Sequence, residues 1–419
     1  MASPSTKFNM PDICRRVVET PEFLTSVAHE FDIDQQCKLM LVSKHFFRSV
    51  GPIVWKSVPR LEFLMKLITG TKVKTYRFED SQRAHYEFTE ITITLPLSPD
   101  LSRYNIYAPW VRELEIFDEC SQEIKNLEPF LTLLGGQPPL PNLRRLTTYT
   151  GASNLSGKEL MEFINVFFSP SLKEIETFYH EKGIPSCLDA SSIPNLFRKI
   201  KETCPQIQAL EFYPENAYGS STSFNLSDRS RDILQSFSNL RSFTSTTYIL
   251  ESATFRVLGS LPHLESLGIR GSHMDNPVLD EQLSIPPNSF EELIDLRLYN
   301  IHPQDIKVLW NQPSIVKKLG SAVIQTDPTT APNPSDGQMD GNSWIESFLI
   351  ALPSLSPHLH DLTFYVGDED GTEFQISQDA RNGLRALELN KFEVKLRIYD
   401  ADEDSDGDPY DDGGYDDNY

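Results

Sequence analysis

The sequence predicts an α/β fold built from repeated strand-plus-helix units, with a short all-helical segment in front. Two observations carry this reading. A phrase consisting of an apolar residue, two variable positions, a second apolar residue, one variable position and an apolar or small hydroxyl residue recurs nine times in the 419 residues. Between most copies lies a stretch with helical apolar spacing, and repetition on this scale belongs to whole architectures rather than to single elements.

The copies are Val111-Leu114-Ile116, Leu143-Leu146-Thr148, Leu172-Ile175-Thr177, Ile207-Leu210-Phe212, Leu240-Phe243-Ser245, Leu264-Leu267-Ile269, Leu293-Leu296-Leu298, Leu359-Leu362-Phe364 and Leu384-Leu387-Leu389. They start 24 to 35 residues apart, except for a step of 66 between Leu293 and Leu359. A degenerate copy, Val316-Leu319-Ser321, falls in that gap, and 326–342, rich in Pro, Thr, Asp and Gly, reads as a loop insertion. Upstream, Phe88-Ile91-Ile93 fits the phrase and places the start of the array near residue 86. Helices are expected over 123–134, 157–168, 194–203, 227–237, 252–258, 304–310 and 343–352, several opened by N-cap residue types at Ser156, Asn195, Ser227 and Ser252. Pro170, Pro205, Pro262 and Pro357 stand shortly before the next copy, where proline stops a helix and returns the chain to extended structure.

Phrase and setting together resemble leucine-rich repeats of the strand-plus-helix kind, over roughly residues 86–398. The resemblance implies a curved solenoid with strands on its concave face and helices outside. Alternate strand residues point to opposite faces, so the leucine positions enter the core and the intervening ones face the concave side. The position three after the second apolar residue is then exposed: Phe117, Tyr149, Phe178, Tyr213, Thr246, Arg270, Tyr299, Tyr365 and Asn390. Its aromatic and arginine members, Phe117, Tyr149, Phe178, Tyr213, Arg270, Tyr299 and Tyr365, are the client-binding candidates. Glu115, Glu176, Glu211 and Glu388 flank that row. Rigid aromatics beside carboxylates suit a protein segment that carries lysine or arginine with apolar groups.

Residues 20–58 lack the phrase and read as three short helices. Phe23, Leu24, Val27, Ala28 and Phe31 repeat at helical spacing; Asp32 and Asp34 can cap a second helix, and Cys37, Leu39, Leu41, Val42 and Phe46 form a second apolar group. Pro21-Glu22 opens this segment, Leu39-Met40-Leu41-Val42-Ser43-Lys44 and Phe46 follow an acidic turn, and Trp55 closes it. In this order the segment resembles an F-box. Gln36 in place of a usual leucine, Phe46 in place of a usual tryptophan and Ile33 in place of a usual proline depart from that pattern. An F-box feeding into leucine-rich repeats is the arrangement of substrate receptors in Skp/cullin/F-box ubiquitin ligases. The resemblance therefore implies a non-catalytic adaptor that binds the Skp adaptor, and through it the cullin scaffold, by Pro21, Phe23, Leu24, Val27, Leu39, Leu41, Val42 and Phe46. Of these, Val27 and Leu41 are expected to belong to the bundle's own core. The competing expectations are a plain leucine-rich scaffold whose helices only cap the solenoid, and a GTPase-activating solenoid, which needs a positioned arginine or asparagine.

Composition sets the remaining bounds. The domain organisation reads as a lead-in at 1–19, the F-box-like segment at 20–58, a connecting helix or linker at 59–85, repeats at 86–398 and an acidic tail at 399–419. A net charge of −22 excludes a nucleic-acid partner, whose affinity rests on lysine and arginine. Asp400 to Tyr419 carries ten Asp or Glu and no Lys or Arg, a composition expected to stay disordered. Within it, Asp402-Glu403-Asp404-Ser405-Asp406-Gly407 opens like a calcium loop of the EF-hand type, but Pro409 and Gly413 occupy its eighth and twelfth positions, so no metal is expected. Ser405 suits an acid-directed kinase. Five scattered cysteines give no disulfide framework, and neither an apolar signal core nor a run of about 18 apolar residues occurs. These features point to the cytoplasm or nucleus, with no membrane partner. No constellation of nucleophile, base or metal ligands supports an enzyme, and no cofactor is expected.

Overall fold

The computed structural model describes residues 20–79, 87–116, 120–149, 157–178, 187–214, 224–271, 277–279, 283–326, 341–368, 377–387 and 389–398. The acidic tail, most of the 326–342 insertion and Phe117 lie outside the described residues. The chain divides into two compact units, Met1–Ala217 with Phe224–Thr244, and Tyr218–Ser223 with Ser245–Tyr419.

The first unit opens with three helices, α1 (Pro21–His29), α2 (Ile33–Met40) and α3 (Lys44–Val54). Three of their boundaries have a side-chain cause. Asp32 accepts a hydrogen bond from the Gln35 amide at 2.8 Å and caps α2; Ser43 accepts from the Phe46 amide at 3.2 Å and caps α3. Gln36, the departure from the leucine of the F-box pattern, closes α1. Its Nε2 donates to the Ala28 and Phe31 carbonyls, both at 2.9 Å, supplying partners that a leucine cannot.

After these helices comes a ladder of parallel strands. Ser57–Val58 pairs with Glu113–Ile116, then follow Arg145–Tyr149, Glu174–Phe178, Ala209–Glu211 and Ser242–Thr246. The second apolar position of each phrase falls in register with the next: Leu114, Leu146, Ile175, Leu210 and Phe243 form one stack. Hydroxyls are tolerated at the third position because they are used. Thr148 Oγ1 donates to the Glu176 carbonyl at 3.4 Å, and Thr177 Oγ1 donates to that of Glu211 at 3.5 Å.

The start of the array differs from expectation. The stretch expected as a connecting helix or linker holds helix Leu61–Met65 and strand Lys72–Glu79. That strand runs antiparallel to Glu87–Thr94, which pairs parallel with Cys120–Lys125 in a separate three-stranded sheet. The phrase Phe88-Ile91-Ile93 therefore lies off the main ladder, although Ile91 and Ile93 are buried as the phrase requires. The rung that precedes Glu113–Ile116 is Ser57–Val58. Likewise, the helix expected over 123–134 covers only Leu127–Leu133, after the strand Cys120–Lys125.

In the second unit, strands Ser266–Arg270, Asp295–Tyr299, Ser321–Thr326, Asp361–Asp368 and Lys391–Ile398 pair parallel in chain order. Helix Ser252–Gly259 precedes the first of them, and helices Pro303–Trp310, Gly341–Leu355 and Gln378–Arg385 fall between the second and third, third and fourth, and fourth and fifth. Leu267, Leu296, Ala322, Leu362 and Phe392 are in register. This alignment corrects two copies. The degenerate one is Leu319-Ala322-Ile324 rather than Val316-Leu319-Ser321, and the last is Leu389-Phe392-Val394 rather than Leu384-Leu387-Leu389. Small Ala322 hid the first, while Leu384, which ends a helix, imitated the second. In the eight other copies all three phrase residues are buried, which is what a repeated core position demands.

Each rung is also clamped through the backbone. The carbonyl of Lys56 accepts from the amides of Arg112 and Glu113, that of Arg112 from Arg144 and Arg145, that of Arg144 from Lys173 and Glu174, and that of Lys173 from Gln208 and Ala209. In the second unit the carbonyls of Glu265, Ile294, Gly320 and His360 do the same, each accepting two successive amides at 2.8–3.3 Å.

His302 caps helix Pro303–Trp310, its Nδ1 accepting from the Gln304 amide at 3.1 Å. Burial holds this imidazole below its ordinary pKa. The neutral ring is thus the stabilised form; its contribution is complete above the unfolded value of about 6.5 and is lost as pH falls through the lower folded value. Unfolding free energy is expected to drop between about pH 7 and 5 more steeply in the wild type than in His302→Asn, which retains a non-titrating cap. Denaturant unfolding across that range measures it.

Candidate interaction surfaces

The helical segment does not bury all of its apolar groups. Leu24 and Ala28 of α1 and Val50 of α3 form the bundle's core, with Leu24 only 2% exposed. Leu41 and Val42, in the turn between α2 and α3, are 85% and 64% exposed. Phe23, Phe31 and Ile33 are also exposed, while Val27, Leu39 and Phe46 are half-buried and Pro21 is exposed. Two expectations change places. Leu24 is a core residue rather than a contact, because it faces Ala28 one turn on; Leu41, expected in the core, is exposed because α2 ends at Met40 and turns it outward. Contiguous apolar side chains on the surface mark interaction sites.

An aromatic joint ties these helices to the ladder of the first unit. Phe47 meets Tyr107 and Trp110 edge-on, at 5.8 and 5.3 Å between ring centroids, and Trp55 lies 4.7 Å from Tyr107. Gly51 of α3 faces the Trp110 ring so closely that a Cβ would stand 2.5 Å from it. The joint therefore requires glycine at this position.

The open face of the first ladder is charged. Glu115, Glu176 and Glu211 are half-buried, and Arg145 pairs with Glu174 and, at 3.8 Å, with Glu176. Tyr149 and Phe178 end strands in register with each other. Tyr213 is a correction. It is fully buried, because the chain leaves the ladder after Glu211 and Tyr213–Pro214 pairs instead with Cys187–Leu188; its hydroxyl donates to Glu211. Thr246 is buried as well.

In the second unit the row runs Arg270, Tyr299, Gln325, Tyr365, Lys395 across five strands in register. Arg270 stacks on the Tyr299 ring, 4.1 Å from its centroid. Burial raises the Tyr299 pKa, opposed by Arg270 and Arg297, so its hydroxyl remains a donor. Gln325 is buried and its Nε2 has no hydrogen-bond partner among the described residues. Sequence reasoning missed Gln325 and put Asn390 where Lys395 belongs, both through the two slipped copies. Glu388 is displaced with it: Glu393 is the residue in register with Thr363.

Among the described residues no group of three or more His, Cys, Asp or Glu is placed to hold a metal ion. Two buried carboxylates have structural partners: Glu62 pairs with Arg60, and Asp305 accepts from the Val278 and Leu279 amides, the latter at 2.8 Å. No described helix is long and apolar enough to cross a membrane.

No family model matches the chain, and no curated protein matches it. Among solved structures it is similar to the leucine-rich repeat-containing protein LegL7 from Legionella pneumophila, at 15% identity and a TM-score of 0.33, over 71% of this chain and 89% of that one. The fold stands on the strand ladders themselves and not on this likeness.

The burial pattern separates core from surface within the helices. Leu24→Ala is expected to cost about 2–5 kcal/mol of stability. Leu41→Asp combined with Val42→Asp should change it by no more than about 0.5 kcal/mol. Chemical denaturation of both variants tests the assignment.

Proposed function

We propose that the chain is a non-catalytic protein-interaction subunit, an F-box protein with leucine-rich repeats that serves as a substrate receptor of a Skp/cullin/F-box ubiquitin ligase. The observation that carries this reading is the exposed apolar turn at Leu41 and Val42. Apolar residues left in water on a small helical bundle are expected to be covered by a partner, here the Skp adaptor, with Phe23, Val27, Leu39 and Phe46 extending the contact. The open faces of the strand ladders then carry the client. In the second unit Arg270, Tyr299, Gln325 and Tyr365 form the contact row, and in the first unit Tyr149 and Phe178, which end paired strands in register, are its candidates. Rigid aromatics and arginine supply contact area at small entropic cost. The chain contributes no chemistry of its own and brings the client to the transfer machinery in the cytoplasm or nucleus.

A second reading has its own support. The aromatic joint of Phe47, Trp55, Tyr107 and Trp110 is what a cap on the ladder requires, so the helices serve as a terminal cover in a leucine-rich scaffold. The two readings part at the exposed turn. Under the receptor reading, the Skp adaptor co-purifies with the full chain, and Leu41→Asp with Val42→Asp weakens capture by at least about tenfold while the melting temperature holds. Undiminished capture by that variant sinks the adaptor interface. The same variant is a client trap, since bound clients are no longer delivered for modification.

A further inference from the structure

A groove of about 670 Å³ runs between α1 and α3. Pro21 and His29 line it from α1; His45, Arg48 and Pro52 line it from α3, and Lys56 just beyond. No acid is among its lining residues within the described part of the chain. In a chain of net charge −22, a site where four groups able to carry positive charge converge calls for a cause. Among the described residues Lys56 alone of the four has an ion-pair partner, Glu113 at 3.2 Å. Arg48 makes no ion pair among the described residues, and Nε2 of His45 is buried without a hydrogen-bond partner. Arg48 is exposed, so its guanidinium is available to an anion with several acceptor oxygens.

A phosphomonoester has three such oxygens and a charge of about −2, against −1 for a carboxylate. The groove is also larger than a bare phosphate needs, within the range of about 300–1,000 Å³ typical of ligand sites. Pro21, Pro52 and Ile53 give it apolar wall against which the carbon chain carrying the phosphate can lie. The overall negative charge opposes approach to an anionic membrane surface, which favours a peptide over a lipid as the carrier. We propose that this groove binds a phosphorylated peptide side chain, with Arg48, His45 and Lys56 holding the phosphate and His29 at its rim. Apart from Pro21, which the F-box resemblance also assigns to the adaptor contact, the site is separate from the apolar surface. Pro21, Thr25 and His29 share one face of α1, whereas Phe23 lies about 200° round the helix from Pro21. The proposal therefore does not rest on the ubiquitin-ligase reading.

Ligand-observed NMR on the full chain with an acetylated phosphoserine tripeptide, its unphosphorylated twin and inorganic phosphate, together with co-sedimentation on phosphoinositide vesicles, tests it. The phosphorylated peptide is expected to bind, the twin to show no binding, and phosphate to compete weakly. Arg48→Ala, a change at an exposed position, should weaken phosphopeptide binding at least about tenfold with no change in melting temperature. His45→Gln should weaken it as well. Equal binding of the two peptides, or unaltered affinity in Arg48→Ala, overturns the proposal. Inorganic phosphate binding as tightly as the phosphopeptide overturns the peptide assignment and leaves a free-anion site. Binding to phosphoinositide vesicles without binding to the phosphopeptide assigns the groove to a membrane and overturns it likewise.

Discussion

In each unit the ladder depends on one backbone interaction, a carbonyl before each strand that accepts two consecutive amides from the next repeat. The contact fixes register, since a slip by one residue exchanges the core and solvent faces of an entire strand. With register fixed, the leucine stacks follow, and each stacked side chain removes apolar surface from water at roughly 25 cal/mol per Å². Neither contribution suffices alone. A two-residue strand such as Ser57–Val58 has little pairing to offer, but the Lys56 carbonyl locks it to Arg112 and Glu113.

This clamp also explains what could be read from the sequence. It belongs to the main chain and therefore tolerates Lys56, Arg112, Ile294, Gly320 and His360 alike, leaving no side-chain signature. Only the leucine phrase is written in side chains, and it was legible wherever all three positions were large or hydroxylated. It failed where one position shrank to Ala322, and where helix leucines near a strand imitated it. Both slips moved the inferred contact row, so Gln325 and Lys395 were invisible until pairing was known. Tyr213 was misplaced for a different reason: a strand can leave its ladder after three residues, and the periodicity of a phrase does not reveal where it stops.

The helical segment shows the same limit at smaller scale. Its three helices were legible from spacing and from the cap at Asp32, because those signals are local; the cap at Ser43 was not read. The division of its apolar residues between core and surface was not, since Leu24 and Leu41 differ only in which neighbour each helix turns toward. Gln36 looked like a departure from pattern, and its reason is a local one, the closing of α1. The groove at Arg48 and His45 leaves no trace in the sequence, because its residues come from two helices and share no motif.

The glycine at position 51 is an absence that works as a fastening. With no side chain there, α3 packs directly on the indole of Trp110, seating the helical head on the segment that leads into strand Glu113–Ile116. Anything gripped by the turn at Leu41 is consequently presented to the first ladder at one angle, so reach and orientation within this unit are settled by the fold before any partner arrives.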